Sequence, residues 1–324
     1  MAIRFDDIGN RLRAYRLGKA LTAEQVAVSL GVSRAVIYRI EAGEVIKVET
    51  LERLASLLET SLGALLGEGV EYYGNAISYV ERLRQLEEKS DQVIAHFPPL
   101  SYLLTSSAYP KLLKQALAEA MPSHVEDKKK YAAEIDAMIR VLDERKTSRQ
   151  KRPLSLVNFI SMPEIDRWLK VGMVGRFDLS PDETMRRRLA ARAEIENLMQ
   201  LIEREPMGVQ IGLVEETLPN VAFQLFRTHE GPLLGLSSFR LGGDLPNIAG
   251  IAMITADAEP VRLYEQFIER LWRTAYKGRE AISQLHIILE RSGINPLDVR
   301  KPPGASLQLL ETKRSKKGKA LSDK

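Results

Sequence analysis

A chain of 324 residues with a 44% hydrophobic share is long and apolar enough for two or three packed domains, which excludes global disorder. It has no cysteine, which excludes disulfides, thiol catalysis and Cys-based zinc sites and accords with a cytoplasmic setting. The formal net charge is +4, yet residues 1–69 carry nine Lys/Arg against nine Asp/Glu, so any hold on nucleic acid there must come from where charges sit.

Asp7 to Leu17 reads as a first helix. Thr22 is a good N-cap with Gln25 three residues later, the spacing of a capping box, and predicts a short helix over Ala23 to Leu30. Gly31 stops that helix, because glycine takes the left-handed conformation at little cost. Ser33 caps a second helix that runs to about Ala42 and is closed by Gly43. Val26, Leu30, Val32, Ile37 and Ile40 share one small core, Ala27 lets the helices cross closely, and Arg34, Ala35, Tyr38 and Arg39 are left on the outer face. Thr50 to Leu58 and Ser61 to Leu66 complete a five-helix string.

Helix, tight turn and helix is the geometry that sets a second helix in the major groove of DNA. The string resembles the XRE-type family of phage repressors, Cro proteins and bacterial regulators over about residues 6–67. The resemblance rests on Arg11-Leu12-Arg13, Leu21-Thr22, Leu30-Gly31-Val32-Ser33, Ile37, Arg39-Ile40-Glu41, Gly43, Thr50-Leu51 and Leu54-Ala55. It implies a double-stranded DNA partner, with Arg34, Ala35 and Arg39 at base-reading positions and Ser33 and Tyr38 beside them. Arginine favours guanine, and Ala35 can touch only a thymine methyl. The resemblance also places Gly43 and Lys47 in the loop that meets the phosphate backbone, and Arg16 and Glu41 as a structural ion pair. The chain departs at Ala23, where many members carry a phosphate-binding Gln, which implies weaker affinity.

Gly67-Glu68-Gly69 reads as a hinge. Tyr72 to Ala95 follows at helical spacing (Ile77, Val80, Leu83, Leu86, Val93, Ile94), a connector helix able to pack on its own domain or to pair two subunits, with most charged residues off its apolar face. His96-Phe97-Pro98-Pro99 breaks it. Helices are then expected over Leu100 to Met121, split at Pro110, and over Glu126 to Lys146, with a basic loop from Thr147 to Pro153. A strand over Leu154 to Ile160 and a helix over Pro163 to Val171 come next. Ser180-Pro181-Asp182-Glu183 opens a helix to about Glu205 in which Arg186-Arg187-Arg188 faces solvent. Strands are expected over Val209–Val214, Val221–Thr228, Leu233–Leu241 and Ile248–Thr255, with a turn at His229-Glu230-Gly231, followed by helices over Glu259–Tyr276 and Arg279–Arg291.

The expected fold is multidomain. An all-α helix-turn-helix domain (1–69) leads through a helical connector (70–96) and a mainly helical region (97–205) to an α+β or α/β domain (206–294) and a disordered basic tail (295–324). The late strands with the Leu271-Trp272 helix are similar to phospholipase-D-like sensor domains, but the His-x-Lys motif of the catalytic members is absent, which implies the fold without the reaction. Phe97 to Tyr109 with the strand at Pro206–Leu213 also resembles the effector-type domain that follows the helix-turn-helix in many actinobacterial XRE regulators.

No HExxH occurs, the four His have no metal-ligand spacing, and no glycine-rich phosphate loop is present. A self-cleaving Ser–Lys pair at Ser161 fails because no lysine lies between Lys170 and Lys277. The expectation is therefore a non-enzyme without metal or cofactor. No stretch approaches ~20 apolar residues and the N-terminal residues lack the apolar run of a signal peptide, so no membrane partner is expected. The functional expectation is a homodimeric, sequence-specific transcription regulator with a C-terminal dimerisation or small-molecule-sensing region, Arg240 and Arg262 being candidates for an anionic effector. Two alternatives stay open: an antitoxin or immunity component gripping a protein partner, and a non-catalytic small-molecule sensor.

Overall fold

The Thr22 hydroxyl accepts from the Gln25 N–H at 3.2 Å and the Gln25 amide oxygen accepts from the Thr22 N–H at 2.7 Å, a complete capping box. It opens the second of five N-terminal helices: α1 (Phe5–Gly18), α2 (Ala23–Leu30), α3 (Arg34–Glu41), α4 (Val48–Leu57) and α5 (Leu62–Leu66). The computed structural model describes residues 4–151, 154–219 and 221–294, and the expected disordered tail lies outside the described residues. Ile8, Leu12, Val26, Ile37 and Leu54 close the core of the five-helix bundle. Gly31 makes the α2–α3 turn at φ +70°, a left-handed conformation that glycine adopts without a Cβ penalty. Gly9 lets α1 lie against the end of α3, since a Cβ there would sit 2.5 Å from the Ile40 carbonyl oxygen.

The stretch expected as one connector helix is instead β1 (Val70–Tyr73), α6 (Ala76–Lys89) and β2 (Ser90–His96). Asn75 starts α6 by accepting from the Ile77 and Ser78 N–H groups. β2 lies in the middle of a sheet, so its run Val93-Ile94-Ala95 is buried on both faces and lacks the alternation of a half-exposed strand. The charges of α6 are not solvated either: Glu81, Arg82 and Glu87 are all buried, with α1 and α8 of the same chain packed against the helix. No face of α6 is therefore left free over its length to pair a second subunit.

A short 3₁₀ turn (Tyr102–Leu104), α7 (Tyr109–Glu119) and α8 (Lys128–Lys151) follow. The basic loop expected from Thr147 is helical to Lys151, because its polar side chains meet protein. Ser148 donates to Glu88 at 2.6 Å, and Arg145, one turn earlier, is bidentate on buried Glu87. β3 (Ser155–Ser161), α9 (Met162–Val171) and α10 (Pro181–Arg204) come next, the last capped by Ser180 on the Glu183 N–H. Within α10 the solvent-facing reading fails at Arg187. This side chain is 2% exposed, pairs with Glu183 and Glu119, and donates to the Met173 carbonyl at 3.1 Å.

β4 (Val209–Val214), β5 (Ala222–Thr228), β6 (Gly231–Ser237), β7 (Ala252–Thr255), α11 (Ala258–Thr274) and α12 (Gly278–Arg291) complete the chain. The seven strands form one mixed sheet in the order β1-β7-β6-β5-β2-β3-β4, with β2, β3 and β4 parallel and the other pairs antiparallel. Side chains alternate between its faces. Ile94, Val157, Phe223 and Leu225 meet α11, while Val93, Leu156, Ile160 and Phe226 join the core that holds α6, α8 and α10. That second core is continuous with the N-terminal bundle. The sheet thus draws strands from residues 70–96, 97–205 and 206–294 alike, and the composition changes at 96 and 205 do not divide it.

Candidate nucleic-acid interface

Eight residues of α3 divide cleanly by face. Ile37 and Ile40 point into the bundle core and Val36 is half-buried, whereas Arg34, Ala35, Tyr38 and Arg39 are exposed. Ser33 caps the helix by backbone geometry alone; its hydroxyl makes no cap bond and the residue is exposed. The Arg34 Nη2 donates to the Tyr38 hydroxyl at 2.9 Å, one turn on, and its guanidinium carbon lies 5.1 Å from the Tyr38 ring centroid. Tyr38 therefore holds Arg34 extended along the outer face, and its hydroxyl raises the already high pKa of Arg34. Arg39 is offset toward the end of α3, 3.5 Å from Glu44 across an exposed contact.

The loop from α3 to α4 carries Gly43 and Lys47. Gly43 takes φ +95° and packs on Asp6, and its N–H is committed to the Ile40 carbonyl at 3.0 Å. Lys47, the N-cap of α4, is exposed beside it. Glu24, Glu44, Glu49 and Glu52 are also exposed around this face, so the positive charge is concentrated at Arg34, Arg39 and Lys47.

Arg16 and Glu41 lie behind the exposed face of α3. Arg16 is bidentate on Glu41, at 2.5 and 2.9 Å, and donates a third bond to the Leu21 carbonyl at 2.9 Å. Both side chains are under 10% exposed, so the pair ties α1 to the end of α3 and to the start of α2, and neither can reach a base.

The local signals missed a second charged group, at the junction of the N-terminal bundle and the sheet. The Glu71 carboxylate, on edge strand β1, accepts from Arg11 Nε at 2.6 Å, from Arg82 Nε and Nη2 at 2.9 Å each, and from the Tyr73 hydroxyl at 2.5 Å. Burial pushes its pKa up, but the two guanidiniums and Tyr73 outweigh burial and hold it at about 2. Tyr15 of α1 stacks on Tyr73, centroids 5.0 Å apart, and donates to the Tyr72 carbonyl. Gly67, expected to begin a hinge, is needed because Arg11 crosses over it: a Cβ there would collide with the guanidinium.

Of the two arginines considered for an anionic effector, Arg262 is exposed and Arg240 is half-buried. His229 is 82% exposed at its side chain, 3.4 Å from Asp91, and Arg240 is paired with Asp244 at 2.8 Å. Among the described residues no group of three or more His, Asp or Glu is arranged to hold a metal ion, and no helix is long and apolar enough to cross a membrane.

These features define the class: a DNA-binding helix-turn-helix domain joined to a separate mixed α/β domain. Residues 7–68 match the family model described as a helix-turn-helix domain. No curated protein matches the chain. Among solved structures it is similar to that of TrmBL2, an archaeal chromatin protein whose structure shows a novel mode of DNA binding. That match has 12% identity over 82% of this chain and 92% of the other, with a TM-score of 0.31.

Proposed function

We propose that the protein is a sequence-specific transcription regulator of the XRE type that reads double-stranded DNA as a homodimer. The observation that carries this reading is the Arg34–Tyr38 pair on the outer face of α3, a helix whose other face is locked into the core. A guanidinium fixed in direction before contact presents its fork to guanine O6 and N7 with less ordering cost. Arg39 reads a second position, Ala35 meets a thymine methyl, and Ser33 and Lys47 hold phosphates. One α3 reads only a half-site, so two copies on a (pseudo)palindrome, with recognition helices about 34 Å apart, supply the specificity of a full operator. The domain downstream of α5 pairs the copies and senses an effector.

Selection of bound DNA from a random duplex pool tests this reading, with wild type and the Arg34→Ala/Arg39→Ala variant in parallel. Wild type is expected to enrich an inverted repeat and the variant to lose it. Each substitution costs ~1–3 kcal/mol of specific binding. The same motif from both proteins, or none from wild type, would remove α3 as the reading surface.

A further inference from the structure

A cavity of about 630 Å³ opens between the N-terminal bundle and the sheet, within the range of small-molecule sites (roughly 300–1,000 Å³). α1 contributes Arg11 to its wall, α6 contributes Arg82 and Leu86, and the start of β6 and the end of β7 close the far side with Leu233 and Ile254. Cations and carboxylates line it in equal number, but they are not distributed evenly. Asp7 already pairs with Lys89, Glu230 with Arg4, and Glu88 with Arg84, which lies outside the cavity. On the inner wall two guanidiniums, Arg11 and Arg82, share the single carboxylate of Glu71. Taken by itself that wall carries one positive charge in excess, within a lining whose four cations and four carboxylates balance, and Glu88 shares its Arg84 partner with Glu81. The Nη1 of Arg82 has no hydrogen-bond partner although the side chain is 2% exposed. A buried guanidinium N–H without an acceptor is unfavourable, and an anion against this wall offsets the charge, while Nη1 itself lies beneath the cavity surface.

We propose that this junction cavity binds a small organic anion, a carboxylate or phosphate monoester with an apolar body, between the helix-turn-helix domain and the sheet. The anionic group lies toward Arg11 and Arg82, and the apolar body packs on Leu86, Leu233 and Ile254. The rim is crossed by the Arg4–Glu230 ion pair, whose side chains are 46% and 56% exposed. Exposed pairs of this kind are weak and give way to an entering ligand. The ligand touches α1 and the sheet together, so it stabilises whichever arrangement of the two it fits. α1 also bears on α3 at Gly9, so occupancy is felt at the recognition helix. Only this last step rests on the DNA reading proposed above; the site itself does not.

The test is titration of the full chain with phenyl phosphate, benzoate, inorganic phosphate and neutral benzamide, followed by calorimetry and by thermal melting. At least one aryl anion is expected to bind and to raise the melting temperature, with benzamide and inorganic phosphate at least tenfold weaker. Whether phenyl phosphate or benzoate binds tighter identifies the head group. Ala256→Trp fills the cavity from an exposed lining position without touching the charged wall, and is expected to weaken binding at least tenfold. Arg11→Gln is expected to do the same while retaining a cooperative melt. No binding by either aryl anion, benzamide binding as well as benzoate, or unchanged binding by Ala256→Trp overturns the site. Anion binding together with Arg34→Ala/Arg39→Ala that still selects the wild-type motif leaves the cavity standing and removes the DNA reading. Loss of motif selection without anion binding does the reverse.

Discussion

Replacing Glu71 by Gln takes one negative charge out of a buried set and leaves two guanidiniums facing each other. Glu71 and Arg82 are 5% and 2% exposed at their side chains, so water replaces the lost carboxylate only in part. The Glu71 carboxyl lies at about 2 in the folded protein against an ordinary 4.5. At roughly 1.4 kcal/mol per pKa unit the ionised carboxylate contributes about 3 kcal/mol of stability at neutral pH. A depressed folded pKa gives a contribution that is complete above the ordinary value and falls away as pH drops from about 4.5 toward about 2. Glu71→Gln is therefore expected to lose about 3 kcal/mol at pH 7, and less than half of that gap should remain at pH 3. Urea unfolding followed by circular dichroism, for both proteins at both pH values, measures the difference directly, and the other carboxylates cancel between them. If the variant unfolds within about 1 kcal/mol of wild type at pH 7, or if the gap is as wide at pH 3, the charge of Glu71 is not what holds the two units together at the junction.

Tyr38→Phe removes only the hydroxyl that holds Arg34, so specific DNA binding should fall by about 0.5–1.5 kcal/mol, less than for Arg34→Ala, in a gel-shift titration on the selected site. Lys47→Ala should weaken binding to all sequences alike and reduce the slope of log affinity against log salt by about one, which filter binding across a salt series would show. Glu164 has the opposite sign to Glu71: burial raises its carboxyl to about 7, with Arg240 and Arg167 opposing, so wild type loses stability as pH rises from about 4.5 through 7. Glu164→Gln should therefore be more stable than wild type by up to about 3 kcal/mol at pH 8 and by less than about 1 kcal/mol at pH 5, as read by urea unfolding at the two pH values.

The parts of this chain that could be read in advance are those whose signals are local. Thr22 meets Gln25 three residues away, Gly31 terminates the helix it follows, and Ser180 meets Glu183 in the same way. The turn at His229-Glu230-Gly231 joins β5 to β6 next to each other in the sheet. Strands whose partners are distant in sequence gave no such signal. Val70 pairs with Thr255, and β2 is flanked by β3 and β5, whose residues come some 60 and 130 positions later. Seen locally, Val93 and Ile94 continue the period of α6, and nothing nearby marks the change at Ser90. Charge misled for the same reason. Glu81, Arg82, Glu87 and Arg187 look like a solvated face in the sequence, yet Arg82, Glu87 and Arg187 are buried against partners from other elements, and Glu81 lies between Arg84 of its own helix and Arg13 of α1. The reading face of α3 was legible as an exposed stripe; the Arg34–Tyr38 bond and the use of the Gly43 N–H inside the loop were not.

α1 links the two units, and this bears on how an operator would be read. Its Gly9 lies under the end of α3, its Arg16 clamps Glu41, its Arg11 reaches Glu71 on the sheet edge, and its Asp7 meets Lys89 at the end of α6. Turning α3 relative to the sheet would separate the Arg11–Glu71–Arg82 charges, whose side chains are only 2–11% exposed. In the proposed dimer, the distance between two α3 helices is then set by how the sheet-bearing bodies pair and not by a flexible connection. A regulator built this way changes its DNA affinity through the α1–sheet junction, since that is where the direction of the recognition helix is held.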